Sequence, residues 1–345
     1  MARIIKAIVS RDAPTDGFDP DVPYQMVPLQ GTRDIMVETF ENKAELSFRT
    51  AGVARMSNFR IRRQSVPSLF PLPGPAELVE RIVLPERSLI ELTLTGMRIE
   101  MTALDARERL PSGALEPTPR LILAVSVKEH HTRTFAVCYL FDRVNRDTGR
   151  RLGFGRHFED VSTIWLDQAN FTLTNVDGHN SSSDFARTLI VPGSLGAVLD
   201  VENNANIQMI VDAFDLRFPG LFHQHHAIVF ASPVPVRSQG LLRDGIAVKF
   251  RRTFDQRTFS MIFIPPHTQD DVLRHTIAHE VGHSLGLGHV PEKIPDNLPQ
   301  DAPILRLVDS HNMMFPNNVL LSNRLNASQI ELVHLLGPQF RELNI

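Results

Sequence analysis

A chain of 345 residues with 42% apolar and 22% charged residues and a net charge of −3 has the composition of an ordinary folded protein. Near-neutral charge without basic blocks excludes a polybasic surface for nucleic acid or anionic lipid, and no apolar run approaches the ~18 residues that a membrane helix needs. One cysteine excludes an internal disulfide.

The opening segment, MARIIKAIVSRDAPTDG, has an apolar stretch too short for a secretory signal and lacks a small-residue cleavage site. The expectation is synthesis in the cytosol, followed by residence there or by export through a route that needs no cleaved signal. Residues 1–148 then alternate with a period of two at Ala44-Leu46-Phe48, Ile90-Leu92-Leu94, Leu121-Leu123-Val125-Val127 and Phe135-Val137-Tyr139-Phe141. Half-buried strands read this way. Proline-rich or polar breaks at 66–75 and 110–119 separate them, and 76–82 is the one candidate helix. These features predict an antiparallel β-sandwich. His130-His131 reads as a solvated hairpin turn, and Cys138, inside an alternating strand, as a buried structural thiol.

Residues 142–157 are charged and glycine-containing, which suits a linker, so the domains are placed at 1–148 and 149–345. The second unit predicts a helix over about 158–169, a strand over 170–176, a polar loop over 177–184 and a helix over 204–218. Strands follow at 227–231, 245–250 and 259–264. Helices interleaved with strands imply a twisted mixed sheet with helices packed on it, and the chain as a whole reads as α+β. His223, His225 and His226 form a local cluster that is either a polar turn or a second metal site.

The helix after the last of these strands carries Leu273, Ile277, Val281 and Leu285 at four-residue spacing, with Thr268-x-x-Asp271 ahead of it as a capping box. Beside that apolar stripe runs His279-Glu280-Val281-Gly282-His283-Ser284-Leu285-Gly286-Leu287-Gly288-His289. Histidines four apart on a helix lie on one face and can grip one ion. Gly286 can take the left-handed conformation that ends a helix and returns the chain, bringing His289 back as a third ligand. Three neutral imidazoles leave a tetrahedral zinc ion (Zn2+) one open position for water, and Glu280 stands where it can take a proton from that water. A last helix is expected over about 327–336, capped by Asn326.

The pattern H-E-x-x-H-x-x-G-x-x-H resembles the zinc-binding consensus of the metzincin clan of metalloendopeptidases, and the wording AHEVGHSLGLGH is especially similar to matrixin-like sequences. Asn312-Met313-Met314-Phe315-Pro316 resembles the clan's methionine turn, with Met314 at the methionine position. Trp165, Ala169 and Asn170 fit the helix with which such catalytic domains often begin. The resemblance covers about residues 150–345. It implies a zincin domain with His279, His283 and His289 as zinc ligands, Glu280 as general base and Met314 as an apolar floor under the ligands. The implied substrate is an extended peptide added as a strand along a cleft edge near 259–264. The specificity pocket is expected within 290–318, and His311 is a candidate for the cleft.

Some features depart from the subfamilies. Val290 follows the third histidine, and 289–314 is longer than in a compact matrixin. Neither of the two tyrosines, Tyr24 and Tyr139, follows the methionine turn. The lone Cys138 excludes a cysteine-rich second zinc site, and no glycine-aspartate calcium repeats follow. Residues 88–127 loosely resemble bacterial immunoglobulin-like domains, so the first unit is a candidate targeting, binding or pro-region with a protein partner of its own. The alternative functions are a non-catalytic zinc-stabilised binding module and a signal-less effector whose first unit targets the protease. A module of the former kind is expected to lack Glu280, which is present.

Overall fold

In the computed structural model, the described residues are 2–7, 15–19, 22–64, 72–110, 112–145, 154–175, 187–252, 255–265, 270–289, 312–314, 325 and 327–336. The chain mixes strands and helices and is dominated by its sheets.

The period-two runs of the first third fold as strands because alternate side chains leave water together. One sheet holds β1 (Ala2–Ala7), β4 (Thr32–Thr39), β6 (Ala54–Gln64) and β8 (Ser88–Gly96), in the order β1-β4-β8-β6. A second holds β2 (Thr15–Asp19), β3 (Val22–Pro28), β5 (Ala44–Phe48), β7 (Arg81–Leu84), β9 (Met101–Glu108) and β10 (Arg120–Lys128), in the order β2-β3-β10-β9-β5-β7. Ile35, Val37, Met56, Ile90 and Leu92 from the first sheet share one core with Leu46, Leu84, Leu104, Leu123 and Val125 from the second. Each such side chain contributes about 1.5–3 kcal/mol on burial. An all-antiparallel arrangement fails at one pair, because β3 and β10 run parallel. The expected helix at 76–82 is absent. Val79 instead bridges to Met56, exchanging backbone hydrogen bonds of 2.8 and 2.9 Å, and Arg81–Leu84 is strand β7, so sheet pairing overrides a short apolar run.

The fourth alternating run, β11 (His131–Phe141), does not belong with the other three. It pairs in parallel with β12 (Phe171–Asn175), β13 (Arg187–Ile190) and β15 (Ala227–Ala231). Beyond β15 come β19 (Thr258–Ile264) and then β18 (Ile246–Arg251), which alone runs antiparallel to its neighbour. By sheet membership the division therefore falls between Lys128 and His131, well before 148. His130-His131 is not a hairpin turn, since β10 and β11 lie in different sheets. A small sheet of β14 (Leu199–Asp200), β16 (Val236–Ser238) and β17 (Leu241–Arg243) completes the strands.

Parallel neighbours need crossovers, and helices supply them. α1 (Phe154–Ala169) connects β11 to β12; α2 (Asn204–Arg217) and α3 (Leu221–Gln224) precede β15; α4 (Asp270–Ser284) follows β19; α5 (Ala327–Leu336) comes last. On one face of the sheet, Phe135, Val137 and Tyr139 of β11 pack with Trp165 of α1, Leu273 and Ile277 of α4 and Ile330 of α5. On the other, Ala136, Cys138 and Leu140 pack with Ile207, Ile210 and Phe214 of α2. Cover on both sides is why β11 is buried without a break from Phe135 to Leu140 and why the Cys138 thiol is buried.

Candidate metal centre

The apolar stripe foreseen on this helix is real: Leu273, Ile277 and Val281 of α4 and Leu285 just past its end are all fully buried. Anchoring that stripe puts His279 and His283 on the neighbouring helical face, the first buried and the second half-buried. The helix ends in a Schellman motif. Gly286 sits at φ +94°, Leu287 N–H donates to Gly282 O at 2.9 Å and Gly286 N–H to His283 O at 3.0 Å. The reversal returns His289 to the other two rings.

The three Nε2 atoms form a nearly equilateral triangle. His279 and His283 are 3.0 Å apart, His283 and His289 3.0 Å, and His279 and His289 3.1 Å. Two backbone carbonyls set the tautomers. His279 Nδ1–H donates to Met313 O at 2.7 Å and His283 Nδ1–H to Leu287 O at 2.8 Å, so both Nε2 lone pairs face the centre. Burial, helped by His283 and His289, pushes His279 down to about 4. Burial and then His289, working against the Leu287 carbonyl, lower His283 as well. Both rings are therefore neutral at pH 7, the form that binds metal.

These three residues form the one group of three potential metal-ligating side chains among the described residues. Lone pairs converging on a point repel unless a cation stands among them. A tetrahedral ion with metal–nitrogen bonds of about 2.0–2.1 Å spaces its nitrogens about 3.3 Å apart, so the observed triangle fits zinc with a few tenths of an ångström of expansion. A nitrogen-only set of three also matches the ligand count of hydrolytic zinc sites that keep one position open.

Glu280, one residue beyond the first ligand, is 5% exposed, and its Oε2 is among the buried polar atoms that lack a hydrogen-bond partner. Burial pushes its carboxyl up to about 8, against the opposing pull of the Ala247 N–H and of Arg243. The edge strand β18 closes over it. A Cβ at Gly245 would lie 2.5 Å from Thr276 Cγ2 and 3.0 Å from Glu280 Cγ, so only glycine permits this approach. The expected cleft edge at 259–264 is thus corrected: β19 is interior, and β18 is the outer strand.

Met314 is fully buried and lies directly under the helix, where a Cβ at Gly282 would come within 2.3 Å of its Sδ. Trp165, on α1, backs the same spot at 3.6 Å and donates through Nε1 to Ala278 O at 3.3 Å. Asn312 accepts from the Met314 N–H at 2.9 Å, which shapes the turn and presents Met313 O to His279. Gly245, Ala247 and Gln329 are site residues that the motif search did not name, and Gly282 and Asn312 stood in the motifs without an assigned role. Gly282 lay inside the motif as an unspecified position; Gln329 has no local signature.

The three histidines of the 223–226 cluster do not converge. His223 meets Arg257 at 3.2 Å, His225 Nδ1 meets Leu221 O at 2.7 Å and His226 Nε2 meets Ser284 O at 3.1 Å. The last of these braces the end of α4. Thr268, His311, Phe315, Pro316, Asn326, the loop at 177–184 and most of 290–318 lie outside the described residues.

No family model and no curated protein matches the chain. Among solved structures it is similar to domains 4 and 5 of the S-layer protein SbsC, with 9% identity over 37% of this chain and 50% of that one and a TM-score of 0.20. Domains 5-6 of the same protein give 10% identity, 37% and 45% coverage and a TM-score of 0.19. The solution structure of amebosin gives 8% identity, 30% and 88% coverage and 0.20. The chain spans about half the length of the S-layer structures. Likeness at this level carries no argument about activity.

Proposed function

We propose that the chain is a zinc-dependent endopeptidase, with a metzincin-like catalytic unit behind a first unit that we read as a β-sandwich. One observation carries the proposal: three imidazole nitrogens within 3.1 Å of one another, with the buried, partner-poor carboxyl of Glu280 on the same helix. A structural metal site has no use for a buried acid with one oxygen left unpartnered; a hydrolytic one does.

His279, His283 and His289 would hold the ion. Bound there, zinc supplies a water of lowered pKa and polarises the scissile carbonyl. Glu280 takes a proton from the attacking water as the new C–O bond forms. It then gives that proton to the amide nitrogen as the C–N bond breaks, so acid and product amine balance. Gly245 and Ala247 fix the carboxyl from the β18 side, and Met314 keeps the floor dry. β18 pairs with β19 on one side, and no strand covers its other side among the described residues. An extended peptide fits that edge by strand addition.

The test combines metal analysis with cleavage profiling on a diverse peptide library, for the parent chain and for Glu280→Gln side by side. The expected result is one zinc per chain in both and cleavage in the parent alone. A parent that binds zinc and cleaves no peptide refutes the peptidase reading.

A further inference from the structure

The first unit makes polar contacts with α1 and α5, and α5 also carries a side chain bonded to the turn that holds His279. Tyr24 of β3, fully buried, donates from Oη to Glu331 Oε1 at 2.8 Å. Lys128, at the end of β10, forms an ion pair with Glu331 Oε2. Burial pushes the Glu331 carboxyl up, yet Lys128, Ser126 and Tyr24 together outweigh it and lower the group below its ordinary value. Tyr24 and Met26 also sit in the same apolar core as α1, α4 and α5. Arg33 of β4 reaches Leu166 O and Asp167 O at the end of α1, both at 3.4 Å.

Glu331 lies on α5, two residues from Gln329, which faces the metal side. Gln329 and Asn312 form a closed amide pair: Asn312 Nδ2 donates to Gln329 Oε1 at 2.9 Å, and Gln329 Nε2 donates to Asn312 Oδ1 at 3.2 Å. Asn312 Oδ1 also accepts the Met314 N–H at 2.9 Å, and the intervening Met313 O accepts from His279 Nδ1 at 2.7 Å. Asn312 and Gln329 are 2% and 8% exposed, so the bonds are shielded from competing water. Nearby, Gln168 of α1 accepts from Leu325 N–H at 3.1 Å just ahead of α5.

We propose that the first unit is a permanent positioning element for the metal centre, acting through Tyr24 and Lys128, Glu331, α5, the Gln329–Asn312 pair and Met313 to set the ring of His279. The proposal rests on the metal-site reading above. It makes the first unit part of the catalytic body and not a detachable pro-region. Asn312, Gln329, Glu331 and Tyr24 are positioning residues; none contacts a reacting atom. Because the coupling is thermodynamic, it works in both directions: metal binding also tightens the contact between the units.

The experiment uses the full chain. Zinc affinity is measured by chelator competition, and the electronic spectrum of the cobalt-substituted protein reports ligand geometry. Gln329→Leu takes away the acceptor of the buried Asn312 Nδ2 and is expected to weaken zinc binding about tenfold and to shift the cobalt bands. Gln329→Glu keeps an acceptor for Asn312 Nδ2 and should recover part of the loss. Tyr24→Phe removes one hydroxyl from a site remote from the metal and should weaken zinc binding a few-fold, with zinc in turn slowing hydrogen exchange along β3. Asp200→Asn, on the exposed small sheet, serves as a control that leaves all readouts unchanged. If Gln329→Leu and Tyr24→Phe bind zinc as the parent does, with the parent's cobalt spectrum, the positioning role is overturned while the metal site stands. If the parent itself binds neither ion, the metal reading falls and this inference falls with it.

Discussion

Three side chains carry sharply different expectations. Glu280→Gln keeps the volume and loses the proton carrier, so kcat should fall by about 10²–10⁴-fold while zinc stoichiometry holds. Peptide cleavage together with metal analysis checks this, and retained turnover with bound zinc would remove Glu280 as the base. His289→Ala removes a ligand outright. Loss of an outer partner alone commonly costs 10–100-fold in metal affinity, so this variant should lose more than about a hundredfold. Gly282→Ala sets two effects against each other. Alanine gains up to about 1 kcal/mol of helix propensity over glycine, but its Cβ would fall 2.3 Å from Met314 Sδ, with Trp165 behind. Overpacking of this kind costs about 1–3 kcal/mol, so a net loss of up to about 2 kcal/mol is expected in urea unfolding. A more stable variant would show that Met314 has room to move.

At the scale of elements, α4 was legible because two periodicities coincide on it. The apolar residues at 273, 277, 281 and 285 fix which face is buried, and the histidines four apart follow from that choice. The left-handed Gly286 was legible as a C-terminal signal, and the Schellman bonds realise it. Gly286→Ala should cost about 1–2 kcal/mol through the strained φ and weaken zinc binding as His289 swings away. Unfolding and metal titration on the same sample test both parts. Strand β11 was legible as a strand but not as a member of its sheet. Its alternating run looks like those of the first unit, and what decides its partners is cover on both faces by helices distant in sequence. Likewise, 76–82 has the composition of a short helix, yet the open backbone of Met56 recruits Val79.

For the molecule as a whole, the placement of β11 predicts that fragments split at 148 do not fold as two separate bodies. Fragment 149–345 would lack the strand between β12 and β15. Its circular dichroism should show lost sheet content and its solubility should be poor, whereas independent folding would contradict the observed sheet order. Acid stability is a second molecular property. Burial pushes His226 and His334 down to about 4, against an ordinary value of 6.5. The unfolded chain therefore binds more protons between those limits. Stability should be level above about pH 7, fall as pH drops through 6.5, and level off again near 4. Each ring accounts for at most about 3 kcal/mol. Urea midpoints measured from pH 7.5 to 4.5 test the slope, and a flat profile would mean that these rings protonate without unfolding.

Local chemistry made the convergence of His279, His283 and His289 readable without coordinates. Residues at i, i+4 and just past a glycine reversal are close in space because helix geometry is short-range and universal. The same holds for the buried thiol Cys138 and for most strand and helix positions. Whatever depends on partners far along the chain was not readable. The parallel pairing of β3 with β10, the transfer of β11 to the second unit, the closure of Gly245 over Glu280 and the amide pair between Asn312 and Gln329 all join segments that no periodicity connects. Those contacts exist because apolar faces and unsatisfied polar groups must find cover, and only the folded chain determines which cover each one finds.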